Sequence, residues 1–314
     1  MRQCCPLLGA ISHRASPFHT MGPFMTAVAF LLVLLSALAH STWNLLLKQS
    51  THKVAFLGLA TAVAFTVLLP AAVAIAITDG AGVNGLLLGL VTAVLHALYG
   101  TFLTRGYRLG DLSVVYPVSR GMGLALIPLG AAVLLDERIS PPAIVGIALI
   151  TVGVYAIHLE PRALRDVIQP LRAVNSPAGR TAVLTGVVIA AYSLWDKHAL
   201  ESLSPVPLNQ FGMTGLTVIL VPFALRGGLP QLQTEWRQRH WAIVAAGLMI
   251  PAAYLLVLAA LTTSRVSYIG PAREVGIVFG TMFGVLLLGE GYGGFRIPAS
   301  LIIVSGVVAL ALAP

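Results

Sequence analysis

The sequence predicts an all-α integral membrane protein with ten transmembrane helices, arranged as two inverted five-helix repeats. Composition is the first observation behind this reading. Of 314 residues, 57% are hydrophobic and 10% charged, with a mean hydropathy of +0.90. A soluble domain has about 25% charged residues, so the polar surface here is too small to coat a globule in water. The second observation is a succession of ten apolar runs, each close to the roughly 20 residues that span a bilayer. The third is internal repetition. Residues 266–290 (VSYIGPAREVGIVFGTMFGVLLLGE) repeat residues 114–137 (VVYPVSRGMGLALIPLGAAVLLDE), and a shift of 153 superposes Arg273 on Arg120, Gly276 on Gly123 and Glu290 on Glu137.

The runs fall at 25–47, 54–77, 85–104, 112–135, 141–158, 181–200, 206–225, 241–262, 266–289 and 296–313. Most breaks between them are short, such as Asp136-Glu137-Arg138 or Thr263-Ser264-Arg265, which leaves no room for an inserted soluble domain. The longest polar segment, Glu160 to Arg180, divides the runs five and five. The domains expected are an N-terminal extension (1–24), a first repeat (25–158), a linker (159–180) and a second repeat (181–314).

Two more anchors extend the duplication. Ala39-His40-Ser41-Thr42-Trp43-Asn44 matches Ala191-Tyr192-Ser193-Leu194-Trp195-Asp196, and Gly153-Val154 matches Gly306-Val307. Five helices is an odd number, so the second half enters the membrane from the opposite side. Inverted repeats of this kind underlie alternating-access transporters, which hold substrate near the midplane between the halves.

The net charge of +8 is assigned to loop and interface lysines and arginines rather than to nucleic-acid binding. Cys4 and Cys5 are adjacent and suit neither zinc nor a disulfide framework. The first twenty residues lack a small-residue cleavage site. No HExxH, GxSxG or Walker loop occurs, so no enzyme, cofactor or metal site is expected.

Residues for binding and coupling stand out because charge inside a membrane is costly. An arginine near a helix centre costs about 2.5–3.5 kcal/mol or more unless paired or wet. Arg120, with Tyr116 one turn earlier, and Arg273 in the ninth run are such residues. Either they converge on a cavity and hold an anionic group, or they pair structurally, Arg120 with Glu274 for example. Glu274 aligns with Gly121 and has no first-half counterpart. Burial disfavours its charged form, which suits proton coupling; pairing with arginine is the competing reading.

In the first helix Ser36, His40, Asn44 and Lys48 recur every four residues on one stripe. Lys48 snorkels to the interface, while His40 and Asn44 lie deeper as pathway candidates, joined by the repeat-aligned Trp43 and Trp195. In the sixth helix Tyr192 and Asp196 share a face, and Asp196 stands where the first half has Asn44. Asp196 is a coupling candidate, with solvation near the helix end, together with Lys197, as the alternative. Thr92, His96 and Tyr99 share a face of the third helix, with His96 and Tyr99 candidates for the substrate site. Asn209 and Gln210 are expected at the interface. Gly276, Gly280 and Gly284 read as a packing ladder, and Pro117 and Pro271 as kinks exposing backbone to the cavity. Glu137 and Glu290 read as caps of the loops that follow them.

At these residues the chain resembles the EamA-type transporters of the drug/metabolite transporter superfamily. The likeness rests on His40-Ser41-Thr42-Trp43-Asn44 with Lys48, Tyr116-Pro117-Val118-Ser119-Arg120-Gly121, Asp136-Glu137-Arg138, and Pro271-Ala272-Arg273-Glu274 through Leu288-Gly289-Glu290. It covers about residues 25 to 313. The resemblance implies ten helices in a basket and transport of small metabolites, amino acids or drugs across the cell membrane, most simply as an exporter. It also implies both termini inside the cell. Counting lysine and arginine along the chain favours termini outside, with five on their side and twelve on the other. The partners expected are a small-molecule substrate and the bilayer, with no nucleic acid, in a monomer or homodimer. Two further readings stay open: a cation or drug exporter using Glu274 and Asp196, and a non-transporting membrane scaffold subunit.

Overall fold

The computed structural model describes residues 25–109, 112–157, 175–289 and 293–314. The expected extension, Cys4, Cys5, most of the linker and Glu290 lie outside the described residues. All regular structure in the described residues is helical. The first half holds α1 (Ala27–Lys48), α2 (Lys53–Thr78), α3 (Val83–Leu109), α4 (Leu112–Leu134) and α5 (Pro141–Ile157). The second holds α6 (Pro177–Ala199), α7 (Pro205–Arg226), α8 (Leu229–Thr263), α9 (Val266–Ala272), α10 (Val275–Leu287) and α11 (Gly293–Leu312). Because α9 and α10 form one broken run, these eleven helices correspond to the ten expected spans. Seven runs are long and apolar enough to cross a membrane, and three shorter apolar helices accompany them.

Local chemistry explains where several helices begin. Thr26 caps α1 by accepting from the Ala29 amide at 3.1 Å, and Ser176 caps α6 from Gly179 at 3.0 Å, with Pro177 opening the helix. Within the spans, hydroxyls that would be costly in lipid bond their own helix. Thr42, Thr66 and Thr101 each donate to the carbonyl four residues earlier at 2.8 Å.

Two differences from expectation concern helix continuity. The eighth run begins at Leu229 rather than near 241, with a non-helical residue at Arg239 (φ −137°, ψ 25°) between an arginine-rich segment and the apolar span. The prolines also act unequally. Helix α4 runs unbroken through Pro117, whereas the ninth run is interrupted at Arg273-Glu274. There the bonding tightens from i→i−4 to i→i−3: Glu274 donates to the Pro271 carbonyl at 3.1 Å and Gly276 to that of Arg273 at 3.1 Å.

Helices pack mainly across the halves: α5 on α11, α1 on α8, α2 on α7 and α8, α3 on α6 and α7, α4 on α6, and α1 on α10. At the α5–α11 crossing, a Cβ on Gly146 would lie 2.8 Å from the Gly306 carbonyl oxygen, and one on Gly306 2.7 Å from that of Gly146. The glycine ladder of the ninth run behaves differently. A Cβ on Gly280 would meet nothing within 4 Å, because that residue faces outward.

Helices α1 and α11 place Thr26 and Pro314 at one end of the bundle, here end A, with the opposite end as end B. Polar contacts gather at end A, and those of Glu137 cross the halves. Glu137, expected to cap its own loop, instead accepts from the amides of Val266 and Ser267 at 2.9 and 3.0 Å and from the Ser267 hydroxyl at 2.6 Å. It thus caps the start of α9. Asp136, at φ 53°, turns the chain toward that contact. The Lys197 ammonium donates to the Ser264 carbonyl at 3.1 Å and to that of Leu261 at 2.5 Å, satisfying acceptors at the end of α8. The Tyr268 hydroxyl donates to the Pro314 carbonyl at 2.6 Å. End B carries Lys48, Lys53, Arg105, Arg108, Arg180, Arg226, Arg237 and Arg239.

Candidate functional site

Charges from α4, α6 and the break between α9 and α10 meet inside the bundle. From α4, Arg120 Nη1 donates to Glu274 Oε1 at 3.1 Å, with side chains 16% and 8% exposed. Glu274 is therefore a paired carboxylate, as one of the two sequence readings had it. The pair joins α4 to the break between α9 and α10, where tightening of the helix leaves the Arg273 and Glu274 side chains at its corner.

Asp196 of α6 anchors the other half of the cluster. It is fully buried and accepts from the Thr92 hydroxyl at 2.6 Å and from the Tyr254 hydroxyl. The alternative of a solvated Asp196 and Lys197 is corrected on both counts, since Lys197 is only 6% exposed. The position near the end of α6 was misleading because α3 and α8 extend past it. His96, also buried, shares its Nδ1 with the Thr92 carbonyl at 3.0 Å. Its ring lies 4.6 Å from that of Tyr192 and 5.3 Å from that of Tyr254. Tyr99 meets Tyr192 edge-on at 5.7 Å.

Arg273 lies between the two groups. Its guanidinium carbon stands 5.6 Å over the Tyr254 ring, and Tyr254 in turn bonds Asp196 and packs against His96. Among the described residues Arg273 forms no ion pair, and its fork of donors bonds no protein group. It is half-buried, as are His40, Tyr99, Arg120 and Tyr254.

Trp195 and Asn44 spend their polar groups on backbone carbonyls. Trp195 donates to the Leu88 carbonyl at 3.0 Å. Asn44 turns back to the His40 carbonyl at 2.7 Å. Trp43 packs toward Phe56 and Met213, edge-on to His40 at 5.0 Å, and its indole N–H has no partner. Tyr116 lies on α4 one turn before Arg120. Asn209 and Gln210, expected at the interface, are buried. Asn209 donates to the Pro251 carbonyl at 2.7 Å, tying α7 to α8.

Tyr254 is the residue that the sequence reading missed. A tyrosine in an apolar run is unremarked by charge counting, although a shift of 155, close to the repeat shift, sets Tyr254 on Tyr99.

Comparison with known proteins agrees with the resemblance read from the residues. Residues 180–312 match the EamA-like transporter family, and the long apolar helices are those of a membrane protein. Twenty-eight chains of solved structures also match. One of them, described only as "Crystal structure of protein", superposes with a TM-score of 0.71 over 90% of this chain and 96% of its own, at 17% identity. At that identity the likeness shows the fold alone. Among curated proteins none matches.

Proposed function

We propose that this chain is a secondary transporter, working by alternating access between two inverted five-helix halves, that carries a small metabolite, amino acid or drug bearing an anionic group. The observation that carries this reading is Arg273: a half-buried guanidinium within an apolar bundle, over the Tyr254 ring, with no ion pair or hydrogen bond among the described residues. A carboxylate or phosphate is the natural complement of such a fork. Arg120, held by Glu274, serves as the tie between halves, and Tyr99, Tyr192, Tyr254 and His96 supply an aromatic wall.

Packing supports the two-repeat arrangement. Exchanging α1–α5 for α6–α11 in order converts α1 on α8 into α6 on α3, α2 on α8 into α7 on α3, and α4 on α6 into the broken run on α1. The pairs α2 with α7 and α5 with α11 map onto themselves. Even the Gly146–Gly306 approach has its image, since a Cβ on Gly153 would lie 3.1 Å from the Ala299 carbonyl oxygen. The family match begins at residue 180, beside the proposed repeat boundary.

Asp196 is the better coupling candidate, because its partners are hydroxyls rather than a fixed cation. Cation export through Glu274 and Asp196 draws less support, since Arg120 occupies one carboxylate and Thr92 and Tyr254 the other.

The test is flux in proteoliposomes with charged and neutral substrate panels. Arg273→Gln is expected to lower uptake of anionic substrates at least about tenfold, as loss of one buried charge-assisted bond implies, with Arg273→Lys in between. Unchanged uptake in Arg273→Gln would sink the anion clamp. Flux indifferent to a pH gradient would remove the coupling role of Asp196 and leave the clamp standing.

A further inference from the structure

At end B, away from the central cluster, α3 and α7 finish side by side. Between them lies a concavity of about 330 Å³ lined by Thr101, Arg105, Arg108, Leu109 and Phe223. Arg226 covers its aromatic side, the guanidinium carbon 5.4 Å over the Phe223 ring. Arg105 and Arg108 are three residues apart on α3, and Phe223 and Arg226 three apart on α7, so each pair shares a helix face. Two guanidinium groups thus line the hollow and a third lies over its aromatic wall, and none of them forms an ion pair among the described residues. Three like charges held together without a carboxylate repel one another, and an anion relieves that repulsion.

The surface leading to the hollow is apolar. On α3, Leu90, Val94 and Leu98 follow every four residues and are 54%, 58% and 40% exposed; on α7, Val218 and Leu225 are 61% and 50% exposed. From Val94 to Arg105 the helix rises about 16 Å, close to half of a hydrocarbon core about 30 Å thick. A soluble anion has no use for such a lane. An acyl chain does, and its headgroup would sit at the arginines.

We propose that Arg105, Arg108 and Arg226 form a binding site for the phosphate-bearing headgroup of an anionic phospholipid, whose chains lie along the exposed faces of α3 and α7. Basic pockets between membrane helices hold such headgroups, and arginine forks grip phosphate from two directions.

The experiment uses the full chain in a neutral detergent, followed by thermal unfolding and native mass spectrometry. Phosphatidylglycerol, phosphatidylcholine and inorganic phosphate are added separately. Phosphatidylglycerol is expected to raise the unfolding midpoint by a few degrees and to remain bound where phosphatidylcholine is lost. The triple variant Arg105→Gln/Arg108→Gln/Arg226→Gln should lose most of that shift. A control triple at the same end, Lys53→Gln/Arg180→Gln/Arg237→Gln, should keep it. If the site triple expresses poorly, Arg226→Gln alone, read by retained lipid in the mass spectrum, answers the same question. Equal shifts with phosphatidylcholine, equal loss in the control triple, or inorganic phosphate reproducing the full shift would each overturn the assignment.

Discussion

Arg120 and Arg273 occupy aligned positions in the two halves, yet their neighbours divide the labour between them. Arg120 faces Glu274 at 3.1 Å, a residue whose first-half counterpart is Gly121; Arg273 lies over the Tyr254 ring and pairs with no carboxylate among the described residues. Removing one member of a buried ion pair strands the other, at about 3–5 kcal/mol. Arg120→Gln is therefore expected to lower the thermal unfolding midpoint sharply, and Arg120→Gln/Glu274→Gln to recover most of it. A double variant as unstable as the single one would refute the pairing as the cause.

Much of the cluster was legible at this scale. Arg120, Arg273, Glu274 and Asp196 are conspicuous because charge in an apolar run needs a reason. Tyr254 was hidden because a tyrosine carries no formal charge and is unexceptional in a membrane helix. Lys197 was misread because its acceptors lie 64 and 67 residues away along the chain, and spacing along one helix says nothing of them.

At the scale of helices, apolar run length located the ten spans to within a few residues for most boundaries, since lipid thickness fixes it. Contacts between helices were less readable. A stripe of glycines every four residues suggested close packing in the ninth run; Gly276 fits, lying against Ala37 and Ser41 of α1, but Gly280 faces outward, and the tightest approaches occur at glycines outside that stripe. Gly215 is one: a Cβ there would lie 2.0 Å from the Ala93 carbonyl oxygen, against α3. Gly306 is another. Overpacking of this kind costs about 1–3 kcal/mol, so Gly306→Val should lower the unfolding midpoint, whereas Gly280→Ala should leave it unchanged or raise it slightly. Unfolding of the two variants in the same detergent decides the point, and an unaffected Gly306→Val protein would count against the crossing.

For the whole molecule, the ends differ in kind. End A is tied across the halves through Glu137, which accepts from the Val266 and Ser267 amides, through Arg265, whose guanidinium donates to the Arg138 carbonyl at 2.8 Å, and through Ser264, whose hydroxyl accepts from the Thr26 amide at 3.4 Å. Alternating access requires those ties to break in part of the cycle. Spin labels at Arg138→Cys and His198→Cys, one in each half at end A, should show a distance distribution that broadens or shifts when substrate is added. Labels at Val145→Cys and Val308→Cys, beside the α5–α11 crossing, should show one narrow distance throughout.

The second expectation follows from the bare backbone at Gly146 and Gly306. Where helices meet through leucines, rotamers can take up a relative displacement. Where a Cα rests against a carbonyl oxygen there is nothing to rotate, and the only motion left is pivoting about the point of contact. The α5–α11 crossing is in that sense a fulcrum, and the distance of Arg273 from it sets how far the proposed substrate site swings for each degree of tilt.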